Sequence, residues 1–361
     1  MIHRYFISMS AAVAVLAVVS LASVSTRGQA PAAAPKNAAA TTWTVLRTPW
    51  GEPDLQGVWR YEGAAPLERP KEFGAREFLT DAEMAQRAEA EAKMLAAKRA
   101  GETNGPAVGR RSVEESPIRG NEYNAFWQET FRERRLNNRT SMIVGPDGQI
   151  PYTEEAGKKG PAYEEIHAGR YPRPFFHQSW LDFGMSERCL GDGVQGGLLG
   201  GPGGGPNQIM QSPGTVVILQ EARNDRRTIP TDARPHGNIR DWRGDAVGRF
   251  EGDTLVVETT NFPDKSHYEW RENTWRRATE TLRLVERFTR VDADTIDYWL
   301  TIEDPATFTK PWTLMFPLTK LSDPLIEYAC HEGNYGMIHP LSQTRNLEKA
   351  AADAAKKGLK P

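Results

Sequence analysis

Ala246-Val247-Gly248-Arg249-Phe250-Glu251-Gly252-Asp253-Thr254-Leu255-Val256-Val257-Glu258-Thr259-Thr260-Asn261 reads as two strands joined at Glu251-Gly252-Asp253, and this stretch decides the fold class. β-Branched and aromatic residues fill both arms, and Gly with Asp supplies the turn. The same texture runs from Thr215 to His331. Thr215–Glu221 pairs with Asp225–Ile229. Thr281–Val291 turns at Asp292-Ala293-Asp294 into Thr295–Glu303, and Thr313–Leu318 and Ile326–Cys330 complete the set. Many short strands joined by short turns predict a mainly β protein, an antiparallel barrel or curved sheet.

Upstream, Gly57-Val58-Trp59 opens a further strand. Thr80 caps a helix, with Glu83 completing a capping box and Leu79 and Met84 a hydrophobic staple. The helix is expected to reach about Ala100 and stop at Gly101, on the surface. Asn121–Arg135 has helical spacing with an aromatic stripe, and Tyr163–His167 suggests a short helix. Arg139–Ile150 reads as strand–turn–strand about Gly145-Pro146-Asp147-Gly148, whereas Arg170–Phe176 is too proline-rich for regular structure. The expected organisation is therefore a barrel core over 205–345, with helices, a hairpin and loops of 43–204 packed on it, and a helical tail over 346–361.

The first thirty residues predict export. His3 and Arg4 precede an apolar run, Ala11–Ala22, and Gly28-Gln29-Ala30 offers a small-x-small cleavage site. The run is shorter than the ~20 residues a spanning helix needs, so no stable membrane anchor is expected. Residues 31–42 form an Ala/Pro/Thr linker. Loss of Arg4 and Arg27 leaves 43 basic against 47 acidic residues, a net charge of −4. That balance does not suit a nucleic-acid partner. The location is periplasmic or secreted, and there an isolated pair such as Cys189 and Cys330 is expected to close a disulfide.

Phosphate-loop and nucleophile motifs are lacking. The glycines of 191–206 are not followed by Lys-Ser or Lys-Thr, and no Gly-x-Ser-x-Gly elbow occurs. Nothing implies a cofactor. His236, His331 and Glu332, with Asp232 near in sequence, could ligate a metal, but no HExxH or paired CxxC supports one, and no metal is assigned.

Candidate chemistry comes from strand alternation. Glu286 shares a face with Leu282, Leu284 and Phe288. A carboxylate there needs a cation, a proton or a wet cavity. It is either a general acid–base or the partner of Arg283 or another arginine. On Ile326–Cys330 the pattern puts Glu327 and His331 on one face, Cys330 and Glu332 on the other, with Asn334 in the following turn. Arg234-Pro235-His236 forms a stiff second cluster. Ligand contacts are assigned to Arg234, Asn334, Glu332, Glu327, Asn207 and Gln208, and acid–base roles to His331, His236 and Glu286. Two functions follow. In one, the barrel binds a hydrophobic or aromatic small molecule, for which ten Trp, ten Tyr and thirteen Phe supply wall. In the other, an exported lyase, isomerase or hydrolase acts on such a molecule. Glu258, Glu286 and Glu327 also leave paired-carboxylate chemistry open, and neither function implies an oligomeric state.

Several blocks resemble a family of uncharacterised exported proteins from soil and environmental bacteria. They are Asn138–Val144 with its Pro-Asp-Gly turn, Glu187-Arg188-Cys189, Thr228-Ile229-Pro230 with Arg234-Pro235-His236, Gly248–Phe262, Glu286-Arg287-Phe288-Thr289 and Tyr328–Tyr335. The resemblance spans most of 43–345 and implies no catalytic residue. Where the family has an Asn/Tyr-rich segment before Asn207-Gln208-Ile209, this chain has its glycine run. Gly57-Val58-Trp59 followed by up-and-down strands is also similar to lipocalin-type barrels, an analogy of fold alone.

Overall fold

A computed structural model of the chain describes residues 43–61, 65–104, 137–157, 179–180, 183, 188–191, 205–222, 225–264, 266–268 and 276–358. The expected leader, the linker, the helices at Asn121–Arg135 and Tyr163–His167, the Arg170–Phe176 segment and most of the glycine run lie outside them.

Nine strands form one antiparallel sheet. They are β1 (Gly57–Tyr61), β2 (Asn207–Ser212), β3 (Thr215–Gln220), β4 (Arg226–Pro230), β5 (Asp245–Glu251), β6 (Thr254–Thr260), β9 (Arg283–Arg290), β10 (Thr295–Glu303) and β11 (Trp312–Leu321). The order is β4-β3-β2-β1-β11-β10-β9-β6-β5, and β7 (His267–Tyr268) pairs with β8 (Arg276–Arg277) apart from it. The sheet curls into a nearly closed barrel, bringing edge strand β4 against edge strand β5. Gly248 of β5 makes that approach possible: a Cβ there would come within 2.9 Å of Ile229 Cγ2 on β4. The seam is thus closed by side chains, where the rest of the wall is laddered by backbone hydrogen bonds.

Alternation sets the faces. On β9, Leu284, Glu286, Phe288 and Arg290 point inward, and Arg283 and Arg287 lie on the outer face. Trp59, Ile209, Ile218, Leu255, Phe288, Tyr298, Leu300, Phe316 and Leu318 are buried in one interior cluster. Tyr61, Phe316, Tyr298 and Phe288 form an aromatic row across four strands, with successive ring centroids 4.5, 4.9 and 4.9 Å apart.

Helix α1 (Asp81–Asn104) has the expected capping box: Thr80 N–H donates to Glu83 Oε2 at 2.8 Å, and Glu83 N–H to Thr80 Oγ1 at 3.3 Å. It continues through Gly101. A single turn of helix, α2, covers Glu154–Gly157. The tail helix α3 (Tyr335–Lys356) starts eleven residues before the expected Asn346. Among the described residues no helix is long and apolar enough to cross a membrane.

Two expected elements are corrected. Arg139–Ile150 is not a hairpin. The buried Arg69 takes the carbonyls of Gly145 and Pro146 at 2.7 Å each and Thr140 Oγ1 at 3.0 Å. The segment instead leans on β11, with Val144 N–H donating to Thr313 O and Met315 N–H to Met142 O. Ile326–Cys330 is not a strand. β1 and β10 already occupy both edges of β11, so the chain after β11 has no neighbouring edge to join. The two-face assignment of Glu327, His331, Cys330 and Glu332 falls with the strand.

Candidate functional site

Glu286 is 1% exposed, and a second inward charge meets it across the seam. Arg227 of β4 donates from Nη1 to Glu286 Oε1 at 2.9 Å and from Nη2 to Oε2 and to Thr259 Oγ1, the last at 3.3 Å. Tyr298 O–H donates to Oε1 at 2.9 Å. Burial opposes the Arg227 charge, but the facing carboxylate outweighs it and holds the guanidinium's pKa above its ordinary value. Burial, and next the Glu286 charge, push the Tyr298 phenol well above its ordinary value. The carboxylate therefore has its cation, one of the two readings the sequence left open. As placed, it clasps the barrel seam.

The neighbouring inward positions are different. Gln220 ends the inward row Val216-Ile218-Gln220 of β3 and is 1% exposed. Neither its amide nitrogen nor its amide oxygen has a hydrogen-bond partner among the described residues. Directly opposite on β2 is Asn207, also 1% exposed. Its Nδ2 donates to Gly205 O at 3.4 Å, and its Oδ1 has no partner among the described residues. Trp59 of β1 is opposite Asn207 on the other side, and Tyr61 lies beyond it at the same end of the barrel. Leaving a buried polar group unpaired costs about 1–3 kcal/mol, so three such atoms side by side need an explanation.

Two segments tied by the expected disulfide, Cys189–Cys330, touch strand residues of this end. Gly191 sits so close to Asp225 that a Cβ would come within 2.9 Å of Asp225 Oδ2. Asp225 is opposite Gln220 on the sheet, accepting its backbone N–H, and pairs with Arg243 at 2.8 Å. The Arg188 guanidinium lies over Trp180 and Trp242, 4.5 and 4.8 Å from their ring centroids. From the other segment, Ile326 N–H donates to Glu221 Oε2 at 2.9 Å and Asn334 Nδ2 to Cys189 Sγ at 3.4 Å.

Of the residues singled out in the sequence, Glu286 and Asn207 face the interior. Gln208 is on the opposite face of β2 from Asn207. His331, Glu332 and Glu327 are exposed, and Asn334 is half-buried against the disulfide. Arg234 is exposed and paired with Asp232 at 2.7 Å. His236 belongs to a separate group: Nδ1 is 3.2 Å from Asp245 Oδ2, and Nε2 is 3.7 Å from Glu258 Oε1. Glu258 is held by Arg283, whose hydrogen bonds, ahead of the opposing effect of burial, draw the carboxyl below its ordinary pKa. Neither histidine hydrogen-bonds Glu286. Among the described residues no three His, Cys, Asp or Glu side chains gather as a metal site.

Gln220, Arg227 and Tyr298 were not singled out. The signal for Arg227 was present, since alternation within Arg226–Pro230 places it on the face of Ile229. Compared with known proteins, the chain matches no family model, no curated protein and no solved structure.

Proposed function

We propose that this is an exported small-molecule-binding protein whose ligand docks at the Gln220–Asn207 end of the barrel. The observation that carries this reading is the Gln220 side chain, buried with both amide atoms unpartnered. A polar group that weakens the free fold while offering a directed donor and acceptor is typical of a recognition site. The half-buried Tyr61, packed on Phe316, supplies aromatic wall at the same end, in keeping with a ligand that has a hydrophobic or aromatic body. Binding is favoured over acid–base catalysis there, because Glu286 is already engaged by Arg227 and Tyr298, and His236 and His331 stand elsewhere. The Met1–Ala30 leader and the Cys189–Cys330 bridge fit export to an oxidising compartment.

Native mass spectrometry of protein isolated from its own host in non-reducing buffer tests this. The expected result is a chain beginning at Pro31, two hydrogens lighter than its reduced mass, with a small molecule retained by wild type and lost from the Gln220→Leu variant. Retention of that molecule by Gln220→Leu would move the site elsewhere.

A further inference from the structure

We infer that the ligand's head is an uncharged primary carboxamide, a deduction that rests on the binding reading above. Gln220 Nε2, Gln220 Oε1 and Asn207 Oδ1 have no partner among the described residues at this end. They amount to one donor nitrogen, which carries two N–H groups, and two acceptor oxygens, and one contact is sought for each atom. Asn207 is fixed in this sense because its Nδ2 already donates to Gly205 O. The complementary head offers one acceptor and two N–H donors on adjacent atoms. A primary carboxamide does so. Its C=O accepts from Gln220 Nε2–H, one N–H returns to Gln220 Oε1, and the other reaches Asn207 Oδ1.

Charge excludes the near isosteres. Two ion pairs are made at this end, Arg227 with Glu286 and Asp225 with Arg243, and Glu221 takes the backbone N–H of Ile326. Arg227 and Arg243 each have an anion, so a carboxylate head would have to draw a cation from an existing pair, and an amidinium head would have to draw Glu286 or Asp225 from its own. A buried charge in that position is far costlier than a neutral amide that completes its hydrogen bonds. An ester or N,N-dialkyl amide keeps the acceptor but loses both donors, and leaves Gln220 Oε1 and Asn207 Oδ1 unsatisfied.

The test is a series of probes of one shape and different heads, titrated calorimetrically into the disulfide-bonded protein: benzamide, benzoate, benzamidinium, N,N-dimethylbenzamide and toluene. Benzamide is expected to bind at least about tenfold more tightly than each of the others. Gln220→Leu and, separately, Asn207→Leu should bring benzamide down to the level of toluene. If benzoate or benzamidinium binds as tightly as benzamide, the head-group inference is overturned while the binding site stands; if both variants keep the benzamide preference, the site does not lie at Gln220 and Asn207 and both readings fall. If no probe binds, toluene included, the site itself is wrong. The wild-type series decides between these outcomes even if a variant fails to fold.

Discussion

The two ends of the β2–β3 pair each bury a glutamine, and the two are treated differently. Gln211, four residues along β2 from Asn207, is fully engaged: its Oε1 accepts from Leu55 N–H at 2.7 Å and its Nε2 donates to Pro53 O at 3.1 Å. Arg290 serves the same end, donating to the carbonyls of Asp54 and Ala293 at 3.0 and 2.6 Å and lying over the Trp59 ring. There the polar side chains bind the 53–55 segment as a plug, and each acts as structure. About 13 Å away, by strand rise, Gln220 and Asn207 are also buried and of the same chemical type, but three of their four amide atoms have no partner among the described residues. Burial at both ends with unequal satisfaction is the contrast on which the proposed binding site rests.

The largest expected effect comes from the charges that close the seam beside Gln220. Arg227→Met leaves Glu286 buried without its cation and should lower the unfolding free energy by about 3–5 kcal/mol in urea titration. Arg227→Met combined with Glu286→Leu should recover most of that loss. If the double variant is as unstable as the single one, the pair does more than clasp the barrel. Replacing both Cys189 and Cys330 by Ala opens a 141-residue span and should cost about 2–4 kcal/mol, read as a drop of several degrees in melting temperature. Unchanged melting would mean the two bridged segments hold without the disulfide.

Gln211→Leu should destabilise by about 1–3 kcal/mol, since it strands Leu55 N–H and Pro53 O. A neutral result there would erase the contrast between the two ends. The smallest effect belongs to the exposed capping box of α1. Hydrogen bonds from Arg76, then Thr80, hold Glu83 at about 2, below its usual 4.5. A depressed carboxyl contributes stability that is present above pH 4.5 and is lost as pH falls toward 2. Glu83→Gln should lower the melting temperature slightly near neutrality and flatten the acid side of the profile over that window, so that the two proteins converge toward pH 2.

The barrel was legible because its strands alternate cleanly and its turns carry Gly and Asp, as at Gly252-Asp253. Glu286 was legible as an inward carboxylate for the same reason. Ile326–Cys330 alternates equally well, yet forms no strand, because pairing depends on a free edge and β1, drawn from far upstream, had taken it. The Arg139–Ile150 turn was misread because Arg69, some seventy residues away, captures its carbonyls. Gln220 could not be found by pattern at all. Its inward position follows from β3, but its lack of a partner is a property of everything around it in space. The histidines attracted notice by residue type, and the fold leaves His331 in solvent and His236 on Asp245.

The account stands on the claim that Gln220 is kept for binding at the expense of the free fold. The most direct test measures Gln220→Leu twice, for melting temperature without ligand and for benzamide affinity. The account predicts that the first rises, by a few degrees for about 1 kcal/mol gained, while the second falls. A variant that melts lower than wild type would show Gln220 to be structural, like Gln211, and would contradict it.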